Sequence, residues 1–164
     1  MNAYSAAGWE NFFVAEAGAS AALAGLLFVA VSINLPRILQ FPGLPGRAAE
    51  ALVVLFAVLA SASLGLVPGQ SPAVFGTELL AIGLGSSLLM LVIQVRGSRY
   101  PGQQRRWTII RIATTQVAAV PFAVAGASVL ARAGGGLYWL APAIVLSFFA
   151  ALLDAWVLLI EIQR

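Results

Sequence analysis

The chain contains no cysteine, no histidine and no lysine. Without cysteine there are no disulfides, no thiolate metal sites and no thiol nucleophile. Without histidine there is no imidazole for a b-type haem, no commonest zinc ligand and no standard base for a serine hydrolase. Without lysine there is no Schiff base to retinal or another carbonyl. Charge of either sign is scarce too. Charged residues are 9% of the 164 positions, where a soluble domain carries about 25%. All nine basic residues are arginine, against six acids, for a net charge of +3. These gaps leave no resident cofactor, no metal and no enzyme to expect.

What is present is apolar: 61% of the residues are hydrophobic. A soluble domain of this size still exposes a large share of its residues and has nowhere to hide so much apolar surface. Lipid removes the problem. The hydrocarbon core needs roughly 20 apolar residues per helical crossing. Five runs meet that length, at about 13–35, 48–67, 75–95, 108–131 and 137–162. Proline or glycine marks each break, at Pro36, Pro68-Gly69, Gly97 and Gly134-Gly135-Gly136. Alternating-polarity strands of a membrane barrel are missing. The expected fold is therefore all-α, a polytopic bundle of five transmembrane helices forming one domain over 1–164. The first run exceeds a signal-peptide core and has no arginine before Arg37, so it reads as a retained anchor.

Arginine placement orients the bundle. Arg37 and Arg47 flank the first connection, and Arg96, Arg99, Arg105 and Arg106 flank the third, with Arg111 just inside the next helix. The second connection carries no charge and the fourth only Arg132. The positive-inside rule places connections one and three in the cytoplasm, the N-terminus outside and the C-terminus inside. Trp9, Tyr138 and Trp139 then belong to the outer interface, and Tyr100 and Trp107 to the inner one. The positive charge is a topology signal rather than a nucleic-acid footprint. The Arg96–Arg106 stretch also suits anionic lipid headgroups.

Polar groups inside a bilayer are costly and become the default site candidates. Glu50 and Glu78 fall in the first turn of their expected helices, where a carboxylate complements the helix dipole. Glu16 lies about one turn into helix one with Ser20 four residues on, and Gly18, Ala22 and Gly25 suggest a face that packs against another helix. Asn34 points the same way as Glu16, about five turns further on. Asp154 sits deep in apolar sequence. Ser147, Asp154 and Glu161 recur every seven residues, a spacing that drifts only about 20° per step, so they share one stripe. That stripe must face protein or water. Helices four and five are sequential antiparallel neighbours, so Arg111 is expected to reach Asp154 or Glu161. Two readings stay open: an ion pair that only fixes packing, or a carboxylate in a hydrated path. Asp154 and Glu161 lie about 10 Å apart along the helix, too far for a coupled acid pair. Gly83-Leu84-Gly85-Ser86-Ser87 lies mid-membrane without lysine and reads as a small-residue helix contact.

The stretch Ala24-Gly25-Leu26-Leu27-Phe28-Val29-Ala30-Val31-Ser32-Ile33-Asn34-Leu35 resembles the opening helix of small multi-pass bacterial inner-membrane proteins of uncharacterised function. The resemblance covers that helix alone. It implies a bacterial inner-membrane location and transfers no site or activity. Two functions remain. One is a channel or ion- or proton-conducting protein, working as a homo-oligomer among membrane lipids along Glu16, Asp154 and Glu161. The other is an accessory or assembly subunit of a larger membrane complex.

Overall fold

The computed structural model describes residues 3–41, 43–97 and 105–163, and the side chains of 105–108 and 161–163 fall outside that description. Expectations placed on Arg99, Tyr100, Arg164 and the side chains of Arg105, Arg106, Trp107 and Glu161 therefore lie outside the described residues. Five helices long and apolar enough to cross a membrane follow one another, and there is no strand among the described residues. They are α1 (Glu10–Ile38), α2 (Leu44–Gly65), α3 (Pro72–Gly97), α4 (Arg105–Ala131) and α5 (Leu140–Gln163), with a short 3-10 turn at Gly136–Trp139 before α5.

The helix ends differ from the apolar runs for local reasons. α3 begins at Pro72 rather than Phe75, because Ser71 Oγ accepts the Val74 N–H at 3.3 Å and caps the first turn. α2 begins at Leu44 because Gly43, at φ +96°, turns the chain just before Pro45. These earlier starts carry Glu50 and Glu78 past the first turn, so neither serves the helix dipole as expected. Glu78 instead accepts a 2.5 Å hydrogen bond from the Gln70 side chain. α1 runs through Pro36 to Ile38, and α4 runs through Pro121. α4 ends in a Schellman-type reversal: Ala133 N–H bonds the Ser128 carbonyl at 3.2 Å while Arg132 adopts φ +52°.

α2 is the central helix, packed against each of the other four; α3 pairs with α4, and α1 and α5 close the other side. Two apolar clusters fill the interior. One, around Phe13, Phe75, Leu79 and Phe122, lies towards the α1 N-terminus. The other, around Leu27, Leu55, Met90 and Leu158, lies towards the opposite end. The first end is closed by residues preceding α1: Leu137 N–H bonds the Ala3 carbonyl at 2.7 Å, and Trp9 meets Tyr138 edge-to-face at 5.1 Å. Trp9, Tyr138 and Trp139 thus gather at one end of the bundle, as the expected helix arrangement requires. The outside of the bundle is apolar, with Leu26, Ile33, Phe56 and Val145 all exposed. That surface suits acyl chains and not water.

Gly18 and Gly25 of α1 have no atom within 4 Å of where a Cβ would stand, and Ala22 is exposed. The expected small-residue contact of α1 inside the chain is absent. The close contact is made instead by α3 and α4, where a Cβ on Gly83 or Gly126 would strike the backbone of Ala123 or Leu80.

Candidate ionic site

The end of the bundle opposite Trp9 gathers the helix ends that carry Arg37, Arg47, Arg96 and Arg111. Here α2, α4 and α5 bring together two arginines and two carboxylates. Arg111 donates from Nε to Glu50 Oε2 at 2.9 Å and from Nη2 to Glu50 Oε1 at 2.6 Å. This two-bonded fork satisfies both carboxylate oxygens in the geometry that suits arginine best. Glu50 is wholly buried and Arg111 nearly so. Gly46, one turn before Glu50, makes room: a Cβ there would sit 3.4 Å from Arg111 Nη2 and 3.3 Å from Ile93.

Arg47, three residues before Glu50 on α2, turns to α5 and donates from Nη1 to Asp154 Oδ1 at 3.3 Å. The Arg47 side chain is 28% exposed and that of Asp154 11%. The two pairs cancel in formal charge, which is the condition for burying ions in a low-dielectric interior. They are unequal, however. Glu50 is held by two short bonds and no solvent; Asp154 is held by one long bond to a partner that remains accessible. Asp154 also lines a cleft of about 460 Å³ between α4 and α5, with Arg47, Arg111, Phe149 and Trp156.

The expected pairing of Arg111 with Asp154 is corrected: among the described residues its carboxylate partner is Glu50, while the alternative partner, Glu161, has its side chain outside that description. α4 and α5 are neighbours, as sequence adjacency suggested, but α2 packs against both at this level and supplies Glu50 to Arg111 and Arg47 to Asp154. Ser147 and Asp154 are both buried, so these two members of the α5 stripe face the protein. The Ser147 hydroxyl has no partner among the described residues. Asn34 does not join the ionic cluster; its Nδ2 donates to the Ala30 carbonyl at 2.9 Å, and the side chain lines a separate cleft of about 300 Å³ between α1 and α5. Glu16 stays at the far end, half-buried, and Ser20 Oγ bonds its backbone carbonyl at 2.7 Å rather than its carboxylate.

Sequence reading gave Arg47 to topology and Glu50 to the helix dipole, and placed neither in this cluster. A signal was available: an arginine and an acid three residues apart share one helix face. A second polar layer adjoins the cluster. Gln94 Nε2 donates to Thr115 Oγ1 at 2.8 Å, Thr115 Oγ1 donates to the Arg111 carbonyl at 3.0 Å, and Gln94 Oε1 is buried without a partner. Beyond it, Ser87 Oγ donates to Gln116 Oε1 while Gln116 Nε2 returns a bond to the Ser87 carbonyl at 3.2 Å. Among the described residues no group of three His, Cys, Asp or Glu side chains is placed to hold a metal.

No family model, curated protein or solved structure matches this chain.

Proposed function

We propose that the chain is a multi-pass bacterial inner-membrane protein, N-terminus outside and C-terminus cytoplasmic, that conducts protons or a small cation as a homo-oligomer. Asp154 is the exchanging carboxylate. The observation that carries this reading is the inequality of the two ion pairs. Glu50–Arg111 is closed and serves packing. Asp154 has one 3.3 Å bond and borders an open cleft, so a cation or proton can compete with Arg47 for it. The interior of one chain is filled by apolar side chains, so the route runs along the α4–α5 surface between neighbouring copies. The exposed Gly18–Ala22–Gly25 face of α1 suits close contact with such a copy. Glu161, seven residues beyond Asp154, is the cytoplasmic station on the same stripe.

In liposomes holding a pH-sensitive dye, the wild-type protein dissipates an imposed proton or cation gradient and Asp154→Asn does not. Unchanged flux in Asp154→Asn removes the site. A second reading is an accessory subunit of a larger membrane complex, favoured by the same bare face of α1. Purification from native membranes separates the two: a stoichiometric unlike partner supports the accessory role, and a symmetric assembly of one chain supports conduction.

The absence of native cysteine makes orientation directly measurable. Ser71→Cys in the connection before α3 is expected to react with an impermeant maleimide from outside intact cells. Gln40→Cys after α1 is expected to react only after permeabilisation. The reverse pattern inverts the bundle.

A further inference from the structure

The α4–α5 cleft is amphiphilic along its length. One end presents the Arg47 guanidinium, with Arg111 behind it; the walls beyond are Val117, Leu146, Phe149 and Leu153. Phe149 and Leu153 are exposed, so the cleft opens sideways to whatever surrounds the bundle. Leu146 stands eight residues before Asp154, about 12 Å along the helix axis, which gives the apolar trough its length. Arg47 spends one N–H on Asp154, and its other N–H groups have no partner among the described residues. The surrounding end carries Arg37, Arg47, Arg96 and Arg111 against Glu50 and Asp154, an excess of positive charge among the described residues.

We infer that this cleft binds an anionic phospholipid, its phosphate on Arg47 and an acyl chain along the α4–α5 walls. A cationic rim above an apolar trough matches an anionic amphiphile at both ends, and arginines at a membrane surface favour anionic headgroups. The carboxylate that opposes this is Asp154, which faces the same cleft. Phosphate and Asp154 therefore compete for one guanidinium, and an occupied cleft loosens the Arg47–Asp154 bond. The inference rests on the bilayer-spanning reading but not on conduction.

The test is native mass spectrometry of the full-length protein, titrated with phosphatidylglycerol or with phosphatidylcholine of the same acyl chains. The wild type is expected to prefer phosphatidylglycerol. Arg47→Gln is expected to weaken phosphatidylglycerol binding by about fivefold, the share of one surface arginine, and to leave phosphatidylcholine unchanged. Arg47→Lys retains the preference. Asp154→Asn tightens phosphatidylglycerol binding, because it removes the competitor. Ala113→Phe, at an exposed position on the cleft wall, weakens both lipids. Damage to the fold would weaken binding in every variant, so the opposite signs at Arg47 and Asp154 separate a lipid site from a structural pair. Equal binding of the two lipids by the wild type, or no change in Arg47→Gln, makes the lipid merely annular and overturns the site. Weaker phosphatidylglycerol binding by Asp154→Asn, or an inert Ala113→Phe, does so as well. Should Arg47→Gln fail to fold, the Arg47→Lys, Asp154→Asn and Ala113→Phe measurements still decide. Gradient dissipation plays no part in the readout, so this site and the conduction reading fail independently.

Discussion

Glu50→Ala is expected to cost about 3–5 kcal/mol, because it leaves the Arg111 guanidinium buried without a counter-charge. Against a total stability on the order of 5–15 kcal/mol, that loss removes much of the folded protein. The physical asymmetry is what matters. The intact pair repays its desolvation only through two well-directed bonds, at 2.6 and 2.9 Å, and neither partner can turn to water when the other goes. Glu50→Gln keeps the shape but sets an amide N–H₂ against the guanidinium, so it is expected to fall between wild type and alanine. Replacing both partners, Glu50→Leu with Arg111→Met, is expected to recover most of the loss, since an apolar pair of similar volume carries no desolvation penalty. Thermal unfolding in detergent, with size-exclusion profiles of the purified proteins, reads the three variants against wild type. A Glu50→Ala protein as stable as wild type, or a double variant less stable than Glu50→Ala, contradicts this account.

The second large effect lies at the α3–α4 contact. Gly126→Leu places its Cβ against the backbone of Leu80 and the Gly76 carbonyl. Backbone cannot rotate away as a side chain can, so the helices must separate. Overpacking usually costs about 1–3 kcal/mol, and a backbone collision belongs at or above the top of that range. Separation also stretches the Gln94–Thr115 and Ser87–Gln116 bonds that join the same two helices. Gly85→Leu is the matched control: it is on α3, exposed, and has nothing within 4 Å of its Cβ position. It is expected to shift stability by no more than about 0.5 kcal/mol. If the two variants unfold at the same temperature, glycine at 126 is not there for close packing.

The same contact illustrates what a linear reading can reach. The Gly83–Ser87 string was legible as a helix contact, because a run of small residues inside an apolar segment has few other uses. Which of its glycines touches α4 was not legible. Gly83 meets Ala123, whereas Gly85, two residues later, points about 160° away from it on the helix and meets nothing. The α1 stripe of Gly18, Ala22 and Gly25 looked equally suited to contact and has none within the chain. Small residues permit close approach; they do not choose the neighbour.

The five long apolar helices followed from the chain alone because apolar length is a local quantity, summed over about 20 neighbouring residues. Helix starts were displaced by three to four residues at α2 and α3, where proline and a capping serine outrank hydropathy. The burial of Ser147 and Asp154 also followed, since their seven-residue spacing and their polarity leave one face for them. The pairing of charges did not. The helix that carries Arg111 precedes α5 in sequence, yet the position of α2 in the centre of the bundle hands Arg111 Glu50 and leaves Asp154 to Arg47. A hydrogen-bonded ion pair needs its atoms within about 3 Å, so a change of facing helix exchanges the partner completely. Sequence determined which groups must be neutralised; only tertiary packing decided by whom.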